Sequence, residues 1–223
     1  MQESGFLGIW SDIASETETN YLHWLTREHT SERLGVDGFM AVRVFRAHRT
    51  DVCRYFILYD LTSSAVLGSA PYLARLNSPT PWTRRVMPNF RDTVRAVART
   101  VAEAGRGTGG TLRTYRIEPA EGRRTALREA LAGPVLDALA REPGVLRVRF
   151  CEAEDDTPRA ETAETAMRGP DRSVSLMLLV DGLHPEVLAT ACDRTLPEER
   201  LAGLGAQPPV EVGDYRLQFS LVP

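Results

Sequence analysis

The chain has 223 residues, a formal net charge of −3 and a pI near 5.9, enough for one large domain or two smaller ones with real cores and too little positive charge for a nucleic-acid-binding face. No run of 18 apolar residues occurs, so no membrane-crossing helix is expected; the start Met1-Gln2-Glu3-Ser4-Gly5 lacks the basic and apolar regions of a signal peptide, and the expectation is a cytoplasmic protein. Cys53, Cys151 and Cys192 are odd in number and far apart, which argues against a disulfide framework or structural zinc, and all 27 basic residues are arginine, which excludes Schiff-base lysines, a pyridoxal phosphate anchor and a Walker lysine.

Phe6 to Ile13 reads as a strand, with Leu7, Ile9 and Ser11 on one face and Phe6, Gly8, Trp10 and Asp12 on the other. The acidic, Thr-rich segment Ser15 to Thr19 opens a helix whose apolar stripe is Tyr21, Trp24 and Leu25. At 100° per residue that stripe continues through Glu28 and Glu32, with His29 at its edge. Polar groups on a core-facing stripe imply an internal ion-pair network or a cavity that holds water or ligand. Gly35 and Gly38 end the helix, and Phe39 to Ala47 and Arg54 to Leu61 read as strands joined in a hairpin, with Arg43 sharing a face with Phe39, Ala41 and Phe45. Thr62, Ser63 and Ser64 offer N-caps for a helix that runs, interrupted at Gly68 and Pro71, to Leu76. Two prolines, Pro79 and Pro81, then force extended backbone before Trp82 opens a short helical turn. Thr93 to Val101 is read as the fourth strand, and the glycine-rich run Ala104 to Gly110 as the boundary between residues 1–106 and 107–223.

The same order begins again at Thr111. Strands are expected at Thr111 to Ile117, Gly144 to Cys151, Ser173 to Val180 and Asp214 to Val222, and helices at Arg123 to Arg141, broken near Gly133-Pro134, and at Pro185 to Leu196. Glu152 to Arg172, acidic and aperiodic, reads as an exposed loop. Both halves are therefore βαββαβ units, each with two helices on one face of a four-stranded sheet. The expected fold is α+β: tandem ferredoxin-like repeats that form a pseudo-dimeric α+β barrel.

Three stretches of the first half carry a resemblance. Gly8-Ile9-Trp10-Ser11-Asp12, then Trp24-x-x-x-Glu28-His29-x-x-Glu32-Arg33, then Tyr72-Leu73-Ala74-Arg75-Leu76-Asn77-x-Pro79-Thr80-x-Trp82-Thr83 together resemble the EthD-like group of the dimeric α-β barrel superfamily. The resemblance covers residues 6–106 and extends to the second half by element order alone. It implies a small organic substrate and chemistry drawn from cofactor-independent oxygenation, lactone isomerisation, polyketide cyclisation, decarboxylation or, alternatively, haem-dependent peroxidase or monooxygenase reactions. Fold does not choose among these. The second-half helix has no counterpart of Glu28-His29, so one working site per chain is expected, with the second half as scaffold and a homodimer of such chains open.

His29 is the leading catalytic candidate, because an imidazole can take and return a proton near neutrality while Glu28 or Glu32 orients it; capping the helix end before Gly35 is the competing role. Glu28, Glu32 and Arg33 equally suit a structural ion-pair network. Asp12 is either a second acid or base or a turn residue. Trp10, Trp24, Tyr59 and Trp82 line a flat pocket or simply form core, and Arg43 or Arg84 would stabilise an enolate-type anion. Glu28, His29 and Glu32 on one helix make only a weak case for a non-haem metal, and no nucleophile elbow, Cys-His signature or dinucleotide fingerprint is present. The expected activity is cofactor-free proton transfer on a small aromatic or polyketide-like molecule, with a haem enzyme and a non-catalytic binding module as alternatives.

Overall fold

Alternation along eight strands sorts the apolar side chains into three layers. The computed structural model of the chain describes residues 5–48, 53–154, 162–168 and 171–223. Its strands are β1 (Gly5–Ile13), β2 (Phe39–Ala47), β3 (Tyr55–Leu61), β4 (Phe90–Gly105), β5 (Thr111–Ile117), β6 (Val145–Ala153), β7 (Leu176–Gly182) and β8 (Glu211–Leu221). They close into one antiparallel barrel in the order β1-β3-β2-β8-β5-β7-β6-β4. Each half is the expected βαββαβ unit, so the fold is the α+β barrel read from the sequence. Four-stranded sheets β4-β1-β3-β2 and β8-β5-β7-β6 meet at two seams, β2 with β8 and β4 with β6.

The seams are made by the last strand of each half. β4 pairs with β1 along its first part and with β6 from Ala98 to Gly105, and β8 pairs with β5 through Arg216 and with β2 from Tyr215 onward. This double duty explains why β4 runs further than the expected Thr93 to Val101. The barrel interior holds Phe6, Trp10, Phe45, Phe56, Leu58, Leu112, Met177, Leu179 and Tyr215 from both halves. Trp10 stacks on Phe56 with centroids 4.4 Å apart and its indole N–H donates to Thr114 Oγ1 at 3.2 Å. The outward faces pack against helices, in separate first-half and second-half layers.

Four expectations are corrected. A bulge between Phe39 and Ala41 turns Phe39 into the helix layer, so it does not share the interior face of Arg43 and Phe45. The second-half helix is not broken at Gly133-Pro134; it passes from Arg124–Ala130 through a π turn at Leu131–Val135 into Leu136–Ala140, because Pro134 has no amide hydrogen for the regular ladder. Within the expected loop Glu152 to Arg172, residues Ala163–Arg168 form a helix with Glu164 buried, while 155–161 and 169–170 lie outside the described residues. A further helix, Glu198–Leu204, has no counterpart in the sequence reading. It carries one buried residue, Leu201, too little periodicity to be read in advance.

The interior ends in buried charge. Asp181 is fully buried and ion-paired with Arg43 at 3.1 Å and Arg147 at 3.4 Å. Replacing Asp181 with alanine strands these guanidiniums and is expected to lower the free energy of unfolding by about 3–5 kcal/mol in a urea titration.

Candidate functional site

The first-half helix sets the site. It runs as Glu18–Trp24, then a π turn at Leu25–His29, then Thr30–Leu34. The π turn adds one residue to the repeat, so the core-facing stripe shifts by one position. Tyr21, Trp24 and Leu25 are buried as expected, but the stripe continues through His29, Thr30, Arg33 and Leu34, and Glu28 and Glu32 are left half-buried. Thr30 accommodates the wide turn by donating its hydroxyl to the carbonyl of Leu25, five residues back, at 2.7 Å. In the matching π turn of the second half, Val135 holds the position equivalent to His29 and Leu139 that equivalent to Arg33, both apolar and buried. Of the two helices, only the first carries polar groups at these positions.

His29 is 5% exposed and its ring lies on Trp24, centroids 4.0 Å apart and planes 29° from parallel. Nδ1 has no hydrogen-bond partner. Burial holds the imidazole well below its usual pKa, and the nearby cations Arg33 and Arg168 add to the effect. It is therefore neutral at pH 7, with one ring nitrogen able to accept a proton.

Arg33 is 3% exposed and donates through Nη2 to Glu164 Oε1 and Oε2 at 2.5 and 2.6 Å, while its Nη1 has no partner. Burial opposes its charge, and Glu164, with Tyr72 and Tyr59 nearby, more than restores it. The guanidinium carbon sits 5.8 Å from the Tyr72 ring centroid. Tyr59 projects from β3 into the same layer, 1% exposed, its hydroxyl unpartnered and its pKa pushed up by burial. Tyr21, Phe39, Tyr55 and Phe90 complete an aromatic lining, with Tyr21 and Phe39 ring centroids 4.9–5.6 Å from those of Tyr55, Phe90, Tyr59 and Tyr72. A neutral imidazole, a guanidinium and a phenol, each with an unpartnered buried atom, thus share one layer. The Tyr21 hydroxyl is a fourth such atom; buried polar atoms are paired as a rule, so four in one layer make it a candidate place for ligand or water.

The Asn-x-Pro-Thr-x-Trp-Thr run clamps this helix from outside. Thr80 donates to Glu28 Oε1 at 2.6 Å and accepts from the Thr83 amide at 3.0 Å, Thr83 Oγ1 accepts from the Trp24 indole at 3.0 Å, and Trp82 donates to Asn20 at 3.0 Å. Asn77 accepts from the Ala163 amide at 3.2 Å, which docks the helix carrying Glu164. Glu28 is thereby committed to Thr80 and Thr83 and makes no bond to His29 Nδ1. Burial raises the pKa of Glu32, which lies half-buried at the edge of the cluster.

The other expected site residues lie elsewhere, because alternation and closure separate them. Trp10 faces the barrel interior, across the sheet from Tyr59. Arg43 is interior too, bound to Asp60 and Asp181. Asp12 accepts from the Arg54 amide at 3.0 Å and borders a separate cleft of about 660 Å³ at the other barrel mouth. Trp82 packs half-buried outside the layer, and exposed Arg84 donates to the Pro79 carbonyl. The sequence left Arg33 open between an ion pair and catalysis, placed Tyr21 and Tyr72 without a site role, and did not single out Glu164. Glu164 could not be paired with Arg33 from sequence, since 131 positions separate them; its arrival also means that the second half supplies more than scaffold.

Comparison with known proteins gives the fold. No family model matches the chain and no curated protein matches it. An anthrone oxidase-like protein superposes with a TM-score of 0.66 over 100% of this chain and 94% of its own, at 10% identity. A candidate monooxygenase from Fusobacterium nucleatum subsp. nucleatum gives 0.62 over 100% and 96%, also at 10% identity. A chlorite dismutase from Candidatus Nitrospira defluvii, in complex with imidazole, gives 0.54 over 96% and 92%, at 9% identity. The chain shares its architecture with these dimeric α-β barrel proteins.

Among the described residues no three His, Cys, Asp or Glu side chains converge as a metal centre requires. Haem would need an imidazole facing open space for a flat macrocycle. His29 instead has its ring stacked on Trp24, centroids 4.0 Å apart, so this imidazole does not present the open face that a haem ligand needs.

The depressed pKa of His29 has a sign that stability measurements read. The unfolded chain takes up a proton near pH 6.5 and the folded one does not until well below it, so acidification through that window favours unfolding. Thermal midpoints should fall from about pH 7 to pH 5, and His29→Gln should flatten that fall. A wild-type slope in the variant would mean that the imidazole titrates freely.

Proposed function

We propose that the chain is a cofactor-independent enzyme that moves protons on a small aromatic or polyketide-like molecule, bound in the aromatic layer between the first-half helix and sheet. The observation that supports this is that His29 Nδ1, Arg33 Nη1 and the Tyr59 hydroxyl lie in one layer, all buried and all without partners, with the Arg33 charge felt by both His29 and Tyr59. A neutral imidazole accepts a proton from a phenol or a carbon acid. Such a base is weak when its pKa is depressed, so abstraction needs the resulting anion to be stabilised. Arg33 supplies a permanent charge and Tyr59 a hydroxyl donor, both preorganised in a water-poor layer where they act at full strength. The imidazolium then returns the proton at the same or another atom. Enolate or phenolate formation is common to isomerisation, cyclisation, decarboxylation and cofactor-free oxygenation.

Arg33 therefore replaces Arg43 and Arg84 in the anion-stabilising role, and Glu164 keeps it in place. Glu28, Thr80, Thr83 and Asn77 position the helix, which gives the EthD-like pattern of residues a physical purpose. The names of the neighbours, anthrone oxidase-like and candidate monooxygenase, favour hydroxylated polycyclic aromatics as first substrates to try.

The test is a turnover screen of such compounds by product mass spectrometry. His29→Ala is expected to lower turnover by about 10²–10⁴-fold and Tyr59→Phe by about 10²–10³-fold, each with an unchanged circular dichroism spectrum. Full turnover in His29→Ala would overturn the assignment, and a Soret band in the purified protein would overturn the cofactor-free reading.

A further inference from the structure

The helix layers do not account for all the buried polarity. On the interior face, where β3 and β7 end, five charged side chains from both halves meet. Arg43 donates to Asp181 Oδ1 at 3.1 Å and to Asp60 Oδ2 at 3.3 Å. Arg149 donates through Nη1 to Asp60 Oδ1 at 3.3 Å, and its Nη2 lies 3.9 Å from Asp181 Oδ2. Arg147 donates through Nη2 to Asp181 Oδ2 at 3.5 Å, and its Nε lies 3.4 Å from the same oxygen.

Strand register shows that four of these are two copies of one pair. Arg43 stands opposite Leu58 with Asp60 two residues on; Arg149 stands opposite Leu179 with Asp181 two residues on. Each arginine then reaches across the barrel to the other half's aspartate. Arg147 breaks the symmetry. It stands opposite Asp181, where the first half has Ala41 opposite Asp60. A balanced quartet thus becomes three guanidiniums against two carboxylates. The nearest further carboxylate, Glu103, is 44% exposed and 3.9 Å from Arg147 Nη1, so solvent screens it. The excess is also visible in hydrogen bonding at Arg149, whose Nε and Nη2 are buried without a hydrogen-bond partner although its side chain is only 5% exposed.

We propose that this barrel mouth binds one small carboxylate, seated on Arg147 and Arg149. One uncompensated charge suits a monovalent anion, and a planar carboxylate matches the guanidinium fork. Approach from solvent runs past Asp60 and Arg147, whose side chains are 35% and 20% exposed. The site is separate from the His29 layer, because Asp60 and Tyr59 point to opposite faces of β3.

Sodium acetate is the probe, titrated against sodium chloride at constant ionic strength. Wild-type protein should show a saturating rise in Tm of about 2–4 °C with acetate, and Arg147→Ala should lose it; the fold already accepts alanine at the equivalent position, Ala41. Arg147→Gln provides a second variant that keeps the side-chain volume. Inorganic phosphate should give the smaller response at pH 7. The direct readout is the Arg149 Nε–H resonance, expected to shift saturably with acetate in wild-type protein. An equal response to chloride, an undiminished response in both variants, or an unmoved Arg149 resonance would each overturn the proposal.

Discussion

Eight strands closed into one barrel leave no free sheet edge, and here closure depends on two seams between halves that share almost no sequence. β4 and β8 each begin in their own sheet and finish in the other, so neither half can be removed without exposing an edge of its partner. The reciprocal pairs Arg43–Asp181 and Arg149–Asp60 reinforce the same junction from inside. Burying such charges is costly, and what makes it tolerable is that each aspartate meets one guanidinium from across the barrel and another from its own half. Geometry, more than attraction, is what the quartet contributes: it fixes the halves in one register.

The interior is filled by Trp10, Phe56 and their neighbours. The proposed chemistry lies outside it, in the layers between sheet and helices. The two layers differ sharply. In the second half, Leu131, Val135, Leu136 and Leu139 make an ordinary apolar contact. In the first, the same positions of the helix present an imidazole and a guanidinium to a sheet face rich in tyrosine. Duplication supplied two equivalent frames, and only one retains polar groups at the positions that face the core.

The π turn is the local device that makes this possible. One added residue converts a helix whose polar stripe would be Glu28 and Glu32 into one whose buried polar residues are His29 and Arg33. Its consequence is electrostatic as well as geometric. Two carboxylates at those places would repel an anionic intermediate, whereas a neutral base beside a fixed cation favours it. The carboxylates, rotated outward, become the anchor through which Thr80 holds the helix to the Pro/Trp segment.

Local periodicity was enough to establish the order of the eight strands, the two faces of β1 and the burial of Tyr21, Trp24 and Leu25, because period-2 and period-3.6 patterns are written in neighbouring residues. The barrel itself followed from repeating one unit twice. The identity of the site residues did not follow, for three physical reasons. A π turn shifts helical phase without leaving a composition signal, so Glu28 and Glu32 were expected where His29 and Arg33 now stand. A bulge at the start of β2 reverses the side of Phe39. Ion pairs such as Arg33–Glu164 and Arg43–Asp181 join residues more than a hundred positions apart, and only closure of the chain decides which charges are buried together.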